Sequence, residues 1–201
     1  MNKRIFALTL ALLTSTQLMA AENKAGVFLE PMLTYETGEA DVKVPAFGTT
    51  ESEISGPGVG ARLGFHLAET FFLGIDGRYS ILSYENDDTN IDTDATSYNL
   101  GPVAGIQMPT DIGLRLWVGL IMMGGMDVEK DNGLDLKFKD ASGYRIGGGI
   151  KVSTVSLNLE YQEIEYDETE LEDAGAFSGS SRDFSQDASA LVFSVSFPFS
   201  V

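Results

Sequence analysis

The sequence predicts an all-β protein: a transmembrane antiparallel up-and-down β-barrel of eight strands, with short periplasmic turns and long extracellular loops. Three observations carry that expectation. First, apolar residues alternate with small or polar ones in eight stretches, and period two is the mark of a strand with two unlike faces. Second, the final stretch, 191–201, places Phe193, Val195, Phe197, Phe199 and Val201 on one face and Ser194, Ser196, Pro198 and Ser200 on the other. Such an apolar edge is an aggregation hazard in water. A strand closing a barrel in a bilayer has no free edge and needs an apolar outer face. Third, the connections alternate in length.

The strands follow in order. The first, near 27–36, carries Val27, Leu29, Leu33 and Tyr35 on one face. The second, near 58–67, carries Val59, Ala61, Leu63, Phe65 and Leu67; the third, near 71–82, carries Phe71, Leu73, Ile75, Tyr79 and Ile81. The fourth, near 98–108, shows Tyr98, Leu100, Ala104, Ile106 and Met108, and the fifth, near 114–126, shows Leu114, Leu116, Val118, Leu120 and Met122. The sixth, near 143–152, has Tyr144, Ile146, Ile150 and Val152, and the seventh, near 155–162, has Val155, Leu157, Leu159 and Tyr161. The closing strand is 191–201. None of these faces holds a charge. A ten-strand count follows instead if 134–139 pairs as an extra hairpin arm.

The opposite faces hold Glu30, Arg62, His66, Asp76, Arg78, Arg115, Arg145, Lys151 and Glu160, with Glu36 and Trp117 in the same parity. They also hold many glycines, including Gly60, Gly105, Gly147 and Gly149. Glycine weakens a strand, so its concentration on one face signals crowding, as in a narrow lumen where long Arg and Glu side chains need room. The charged faces are therefore expected inside, as a structural polar network, and the apolar faces in lipid. Connections 68–70, 109–113 and 153–154 are short, whereas 37–56, 83–96, 127–142 and 163–188 are long. Both termini then lie on the short-turn, periplasmic side. Tyr35, Tyr79, Tyr98, Tyr144 and Tyr161 fall near the long-loop ends, and Phe65, Phe71, Phe197 and Phe199 near the short turns. Two aromatic rings at two heights suit the two interfaces of a bilayer.

The N-terminus supplies the address. Lys3 and Arg4 precede an apolar run, 5–13, too short to span a bilayer. Leu18-Met19-Ala20 offers small-residue cleavage, so 1–20 reads as a signal peptide and 21–201 as one barrel domain. The chain has no cysteine, which excludes a disulfide framework and a lipoprotein anchor. Mean hydropathy is +0.01, as expected where polar and apolar residues alternate. A net charge of −17 argues against nucleic acid as a partner. Nearly all of it lies in the four long connections.

The run Gly58-Val-Gly-Ala-Arg-Leu-Gly-Phe-His-Leu67 leading into Phe71-Phe-Leu-Gly-Ile-Asp-Gly-Arg-Tyr79, with the aromatic last strand, resembles the small outer-membrane β-barrel family of the OmpA/OmpX type. The resemblance covers 22–201. It implies a barrel in the bacterial outer membrane, and the separate peptidoglycan-binding domain of longer relatives is not expected here. Family members commonly end in Phe; this chain reads Phe199-Ser200-Val201.

Chemistry has few candidates. Eight strands enclose a space that side chains can fill, so the lumen residues are read as an internal ion-pair network, against a narrow solute channel as the alternative. His66 is the only histidine. A lipid A-modifying hydrolase would need it beside a nucleophilic serine and open to lipid, but its parity is inward, so no enzyme is expected. Asp88, Asn90, Asp92 and Asp94 place oxygens at every second residue, like the start of a calcium loop. Thr93 stands where that loop needs glycine and Asn99 where it needs Glu, which makes them a weak metal candidate. No cofactor is expected. The expected function is a non-enzymatic surface barrel that supports envelope integrity or contacts an unknown partner through acidic loops. It would act as a monomer surrounded by lipopolysaccharide, with divalent cations bridging carboxylates to phosphates.

Overall fold

The computed structural model describes residues 26–44, 48–67, 70–86, 91–110, 112–131, 134–174, 177–181 and 185–200. The expected signal peptide, 1–20, lies outside them. Every described residue in regular structure is β: β1 (Gly26–Val44), β2 (Gly48–Leu67), β3 (Phe71–Asn86), β4 (Ile91–Gln107), β5 (Ile112–Ile121), β6 (Met123–Asp131), β7 (Leu134–Val152), β8 (Val155–Ala174), β9 (Phe177–Ser181), β10 (Ser185–Ser196) and β11 (Phe199–Ser200). All pairings are antiparallel. β1 pairs with β2, β2 with β3 and β3 with β4; β4 pairs with β5 and β6, and both of these pair with β7. β7 then pairs with β8, β8 with β10, and β10 with β1, so the order of hydrogen-bonded neighbours is circular.

Eleven strand segments form where eight were expected. Two local features account for most of the difference. Between Val103↔Gly119 and Leu100↔Met123 the register against β4 steps by one residue. Met122 and Met123 consequently both point outward. This is a bulge, one extra residue on one strand, and it separates β5 from β6. Pro198 has no amide hydrogen to donate to a ladder; it interrupts the closing stretch between β10 and β11, although Phe197 N still donates to Pro31 O at 3.0 Å. β9 pairs only with the far end of β8. Leu134–Lys139 is not a separate hairpin arm, because it forms the first part of β7 and pairs with β6 and β8.

The four long connections are corrected more deeply. They are continuing hairpins. β1 and β2 stay in register from Gly26↔His66 to Val44↔Gly48, leaving only 45–47 as the connection. β3 and β4 stay paired to Asn86↔Ile91, and β6 and β7 to Asp131↔Leu134. The cause is visible in the sequence. Alternation persists past the tyrosine level, but its polarity reverses. On β1 the outward residues change from Leu33 and Tyr35 to Glu39 and Asp41, while the inward ones change from Glu30, Thr34 and Glu36 to Ala40 and Val42. Lipid demands an apolar exterior and water a polar one. The same continuous strands therefore carry an apolar-outside wall below and an apolar-inside wall above.

The lower outer wall is an unbroken apolar surface that includes Leu33, Leu63, Ile75, Leu116, Val118, Ile146, Leu159 and Phe193. The upper interior packs Ile54, Leu82, Tyr84, Met126, Phe138, Ile164 and Tyr166 as one buried cluster. On β7 the two-residue connection 153–154 is a tight hairpin turn in which Ser153 takes φ +56°. Positive φ is what short hairpin turns require.

Candidate functional site

The lower interior is where the chemistry-bearing side chains meet. Alternation alone places them there. Glu30 on β1, Arg62 on β2, Asp76 and Arg78 on β3, Arg115 on β5, Arg145 on β7 and Glu160 on β8 all have inward parity and are buried. Asp76 is the hub. It accepts from Arg62 Nη2 at 2.8 Å, Arg78 Nε at 2.9 Å and Arg145 Nη1 at 2.9 Å. Arg78 also grips Glu160 with Nη2, at 2.8 and 2.7 Å from its two oxygens. Arg115 and Glu30 form a two-point pair of 2.6 and 2.7 Å, and Arg62 Nη1 lies 3.7 Å from the same Glu30.

Neutral groups complete the network, and most of them escaped sequence reasoning. Trp117 Nε1 donates to Glu160 at 2.8 Å, Ser196 Oγ donates to Glu30 at 2.6 Å, and Gln162 Nε2 donates to Glu36 at 2.7 Å. Arg145 also donates to Asn99 and Gln162. Asn158 Nδ2 donates to Ser194 and Ser196 at 3.1 and 2.9 Å. Their inward parity was legible. Attention to charge alone passed them over, since a buried carboxylate needs further donors beyond its ion pair.

Apolar and aromatic groups close the belt on both sides. Phe28, Phe72, Val103 and Trp117 cluster towards the short-turn end. The Arg62 guanidinium lies 5.0 Å from the Trp117 ring centroid and that of Arg115 lies 5.5 Å from Phe72, within cation–π range. The inner glycines serve these bulky groups. A Cβ on Gly147 would meet the Trp117 ring and Glu160, and one on Gly105 would meet the Phe72 ring.

His66 and Lys151 have the expected parity but stand apart from the ion-pair network. Both are half-buried. His66 packs against Phe28 at a centroid distance of 4.6 Å, and no ion pair to Lys151 forms among the described residues. Of the weak metal candidate, Asp88 and Asn90 lie outside the described residues. Asp92 and Asp94 sit on the exposed face of β4, opposite Glu85 and Ser83. Among the described residues no three His, Cys, Asp or Glu side chains gather as a metal-ligand group.

A circular antiparallel sheet with an apolar outer band and an ion-paired interior defines a membrane β-barrel. The chain matches the outer membrane protein beta-barrel domain over residues 6–197 and belongs to that family, which places it in the outer-membrane, Gram-negative context. Among solved structures it is similar to the outer membrane protein OprG from Pseudomonas aeruginosa, with TM-score 0.53 and 9% identity over 89% of this chain and 98% of that one. It is also similar to Neisserial surface protein A (TM-score 0.48, 16% identity, 89% and 100% covered). A third similar structure is Ail of Yersinia pestis (TM-score 0.40, 13% identity, 84% and 98% covered). At 9% identity the likeness to OprG concerns the fold alone. No curated protein matches the chain in sequence.

Proposed function

We propose that this is a non-enzymatic outer-membrane barrel of eight passes whose lumen is closed by its own side chains, and that it supports envelope integrity or surface interaction through its acidic outer end. Counting β5 with β6 as one interrupted pass, and β9, β10 and β11 as another, gives the eight. The observation that carries the reading is the filling of the interior. An ion-paired belt around Asp76 lies against apolar clusters on both sides, so a solute would have to break buried salt bridges and part a packed core. Both actions are costly. Conductance of the purified protein in planar bilayers tests it. The expected result is no sustained current, and a steady open-channel current overturns the closed lumen in favour of a narrow channel.

In this reading the termini and short turns are periplasmic and the polarity-reversed hairpins are extracellular. Their outer face sets carboxylates directly across from one another: Glu39↔Glu53, Asp41↔Glu51, Asp41↔Asp187, Asp187↔Glu165 and Glu53↔Glu85. Like charges directly opposite repel, and divalent cations shared with lipopolysaccharide phosphates would relieve the repulsion. The test is thermal unfolding of the monomer in lipopolysaccharide-containing vesicles. Stability should fall on chelation and return with Mg²⁺; a chelation-insensitive midpoint rejects the bridging. Lipid A deacylation should be absent from the wild-type protein. An activity that disappears in His66→Ala would replace this proposal with an enzyme.

A further inference from the structure

The apolar outer wall has a hollow in it. On β7 the outward row runs Tyr144, Ile146, Gly148, Ile150 and Val152, so one position carries no side chain. Register sets Gly148 between Leu116 on β5 and Leu159 on β8, and both leucines stand out from the wall. The result is a groove of about 720 Å³, within the range of about 300–1,000 Å³ for small-ligand pockets. Ile150 and Leu157 continue it towards the short turns, and Ile106 and Met108 border it on the β4 side. The lining is almost wholly apolar. Arg115 turns its side chain inward and offers its carbonyl oxygen to the floor, 3.5 Å from where a Cβ on Gly148 would stand.

Interior packing does not require this glycine. Its neighbours Gly147 and Gly149 make room for Trp117 and Asn158, which a Cβ at either position would overlap. A Cβ on Gly148 would meet nothing nearer than Leu116 Cδ2 at 3.1 Å, the end of a flexible side chain. The depth of the groove is also set. Gly148 lies four residues from Val152, where β7 ends. Four residues rise about 13 Å along a strand, and less along the axis of a barrel whose strands tilt. That is under half of the about 30 Å hydrocarbon core of a bilayer. The groove therefore runs from the turn level, marked by Thr70 and Pro109, towards the middle of the membrane without crossing it.

We propose that this groove binds one acyl chain of a phospholipid in the leaflet on the short-turn side. It is continuous with the apolar wall, so hydrocarbon is the medium that meets it. An empty hollow forfeits dispersion contacts with its lining, and a flexible chain can enter between the leucine ridges and restore them. A second copy of this chain fits less well. A two-fold pair centred on this face would set groove against groove and leave both unfilled. The proposal rests on the membrane-barrel reading of the wall and not on the closed lumen.

The experiment uses the full chain in phosphatidylethanolamine vesicles doped with the same lipid carrying a diazirine on one acyl chain. After illumination, adducts are mapped residue by residue with mass spectrometry. Leu116 and Leu159 flank the groove; Leu63 and Ile75 are comparably exposed on β2 and β3. All four lie four residues from the short-turn end of their strands, so depth does not separate them. Adducts on Leu116 and Leu159 should exceed those on Leu63 and Ile75 several-fold. Gly148→Leu, which fills the hollow from outside, should bring the two regions level. Even labelling of the wild-type wall overturns the site, needs no variant, and leaves the membrane wall standing; no labelling of any wall residue removes both. An excess that survives in a Gly148→Leu protein shown to be folded by its heat-dependent gel mobility also overturns the site. So does covalent dimer formation in place of lipid adducts when a benzophenone side chain replaces Leu157, since that assigns the groove to a second copy.

Discussion

Glu30 and Arg115, 85 residues apart, meet across the lower lumen in a two-point ion pair of 2.6 and 2.7 Å, both side chains almost wholly buried. Neither charge has water to fall back on. Removing one partner strands the other in a low-dielectric interior. A double-mutant cycle of Glu30→Gln and Arg115→Met should give a coupling of about 1–3 kcal/mol, within the range seen for residues of one buried network. Urea unfolding of the full chain in lipid vesicles measures it, and additive single effects would contradict the pairing.

Asp76 should be less replaceable still. It receives three arginines, so Asp76→Asn leaves three positive charges around one neutral amide. The expected loss is about 3–5 kcal/mol, measured by the same unfolding assay. Asp92→Asn, on the exposed face of β4, should change stability by no more than about 0.5 kcal/mol.

The polarity reversal separates two kinds of surface mutation. Leu116 lies in the lower outer wall and Glu39 on the upper one. Leu116→Arg should cost about 2–4 kcal/mol in lipid vesicles, the cost of Arg near a bilayer midplane on a barrel. Glu39→Arg should leave stability unchanged or slightly raised, because it relieves repulsion with Glu53. If Leu116→Arg were silent, the apolar wall would not face lipid.

The upper hairpins should behave as a packed body and not as mobile loops. Phe138 is wholly buried, with its ring centroid 6.2 Å from that of Tyr166. Phe138→Ala should lower stability by about 3–5 kcal/mol and open the β6–β7 hairpin to protease, with membrane insertion intact. Protease resistance equal to wild type would argue against the packed extension.

Burial in the same cluster pushes the Tyr166 hydroxyl up to about 12. The folded state thus favours neutral tyrosine. That stabilisation is fully present below the unfolded value of about 10 and is lost as pH rises through the folded value. Absorbance titration of the seven tyrosines should show a last ionising step that Tyr166→Phe deletes. A titration curve unaltered by Tyr166→Phe would show that the residue is not held in that core.

Much of this arrangement was legible residue by residue. Parity alone put Glu30, Arg62, Asp76, Arg78, Arg115, Arg145 and Glu160 on one face and Leu63, Ile75, Leu116 and Phe193 on the other, because a strand sends alternate side chains to opposite sides. The hairpin extensions do not stand out as strands in the sequence, for a definable reason. In Glu163-Ile164-Glu165-Tyr166 the alternation continues, but apolar residues occupy the face that charges occupied below. A reader who expects one polarity per face sees the pattern stop there.

The sequence by itself determined which side of each strand every side chain takes and the composition of the two faces, since period two needs no tertiary information. Only the tertiary structure decided which of the inward charges meet. Asp76 is bound by arginines from β2, β3 and β7, and Glu160 by Arg78 and by Trp117 of β5. Those meetings depend on register, bulges and the circular order of strands, all of which arise from contacts distant in sequence. Lys151 and His66 show the same limit. Their parity was readable, but their exclusion from the ion-pair network follows from what lies opposite them once the ring of strands is formed.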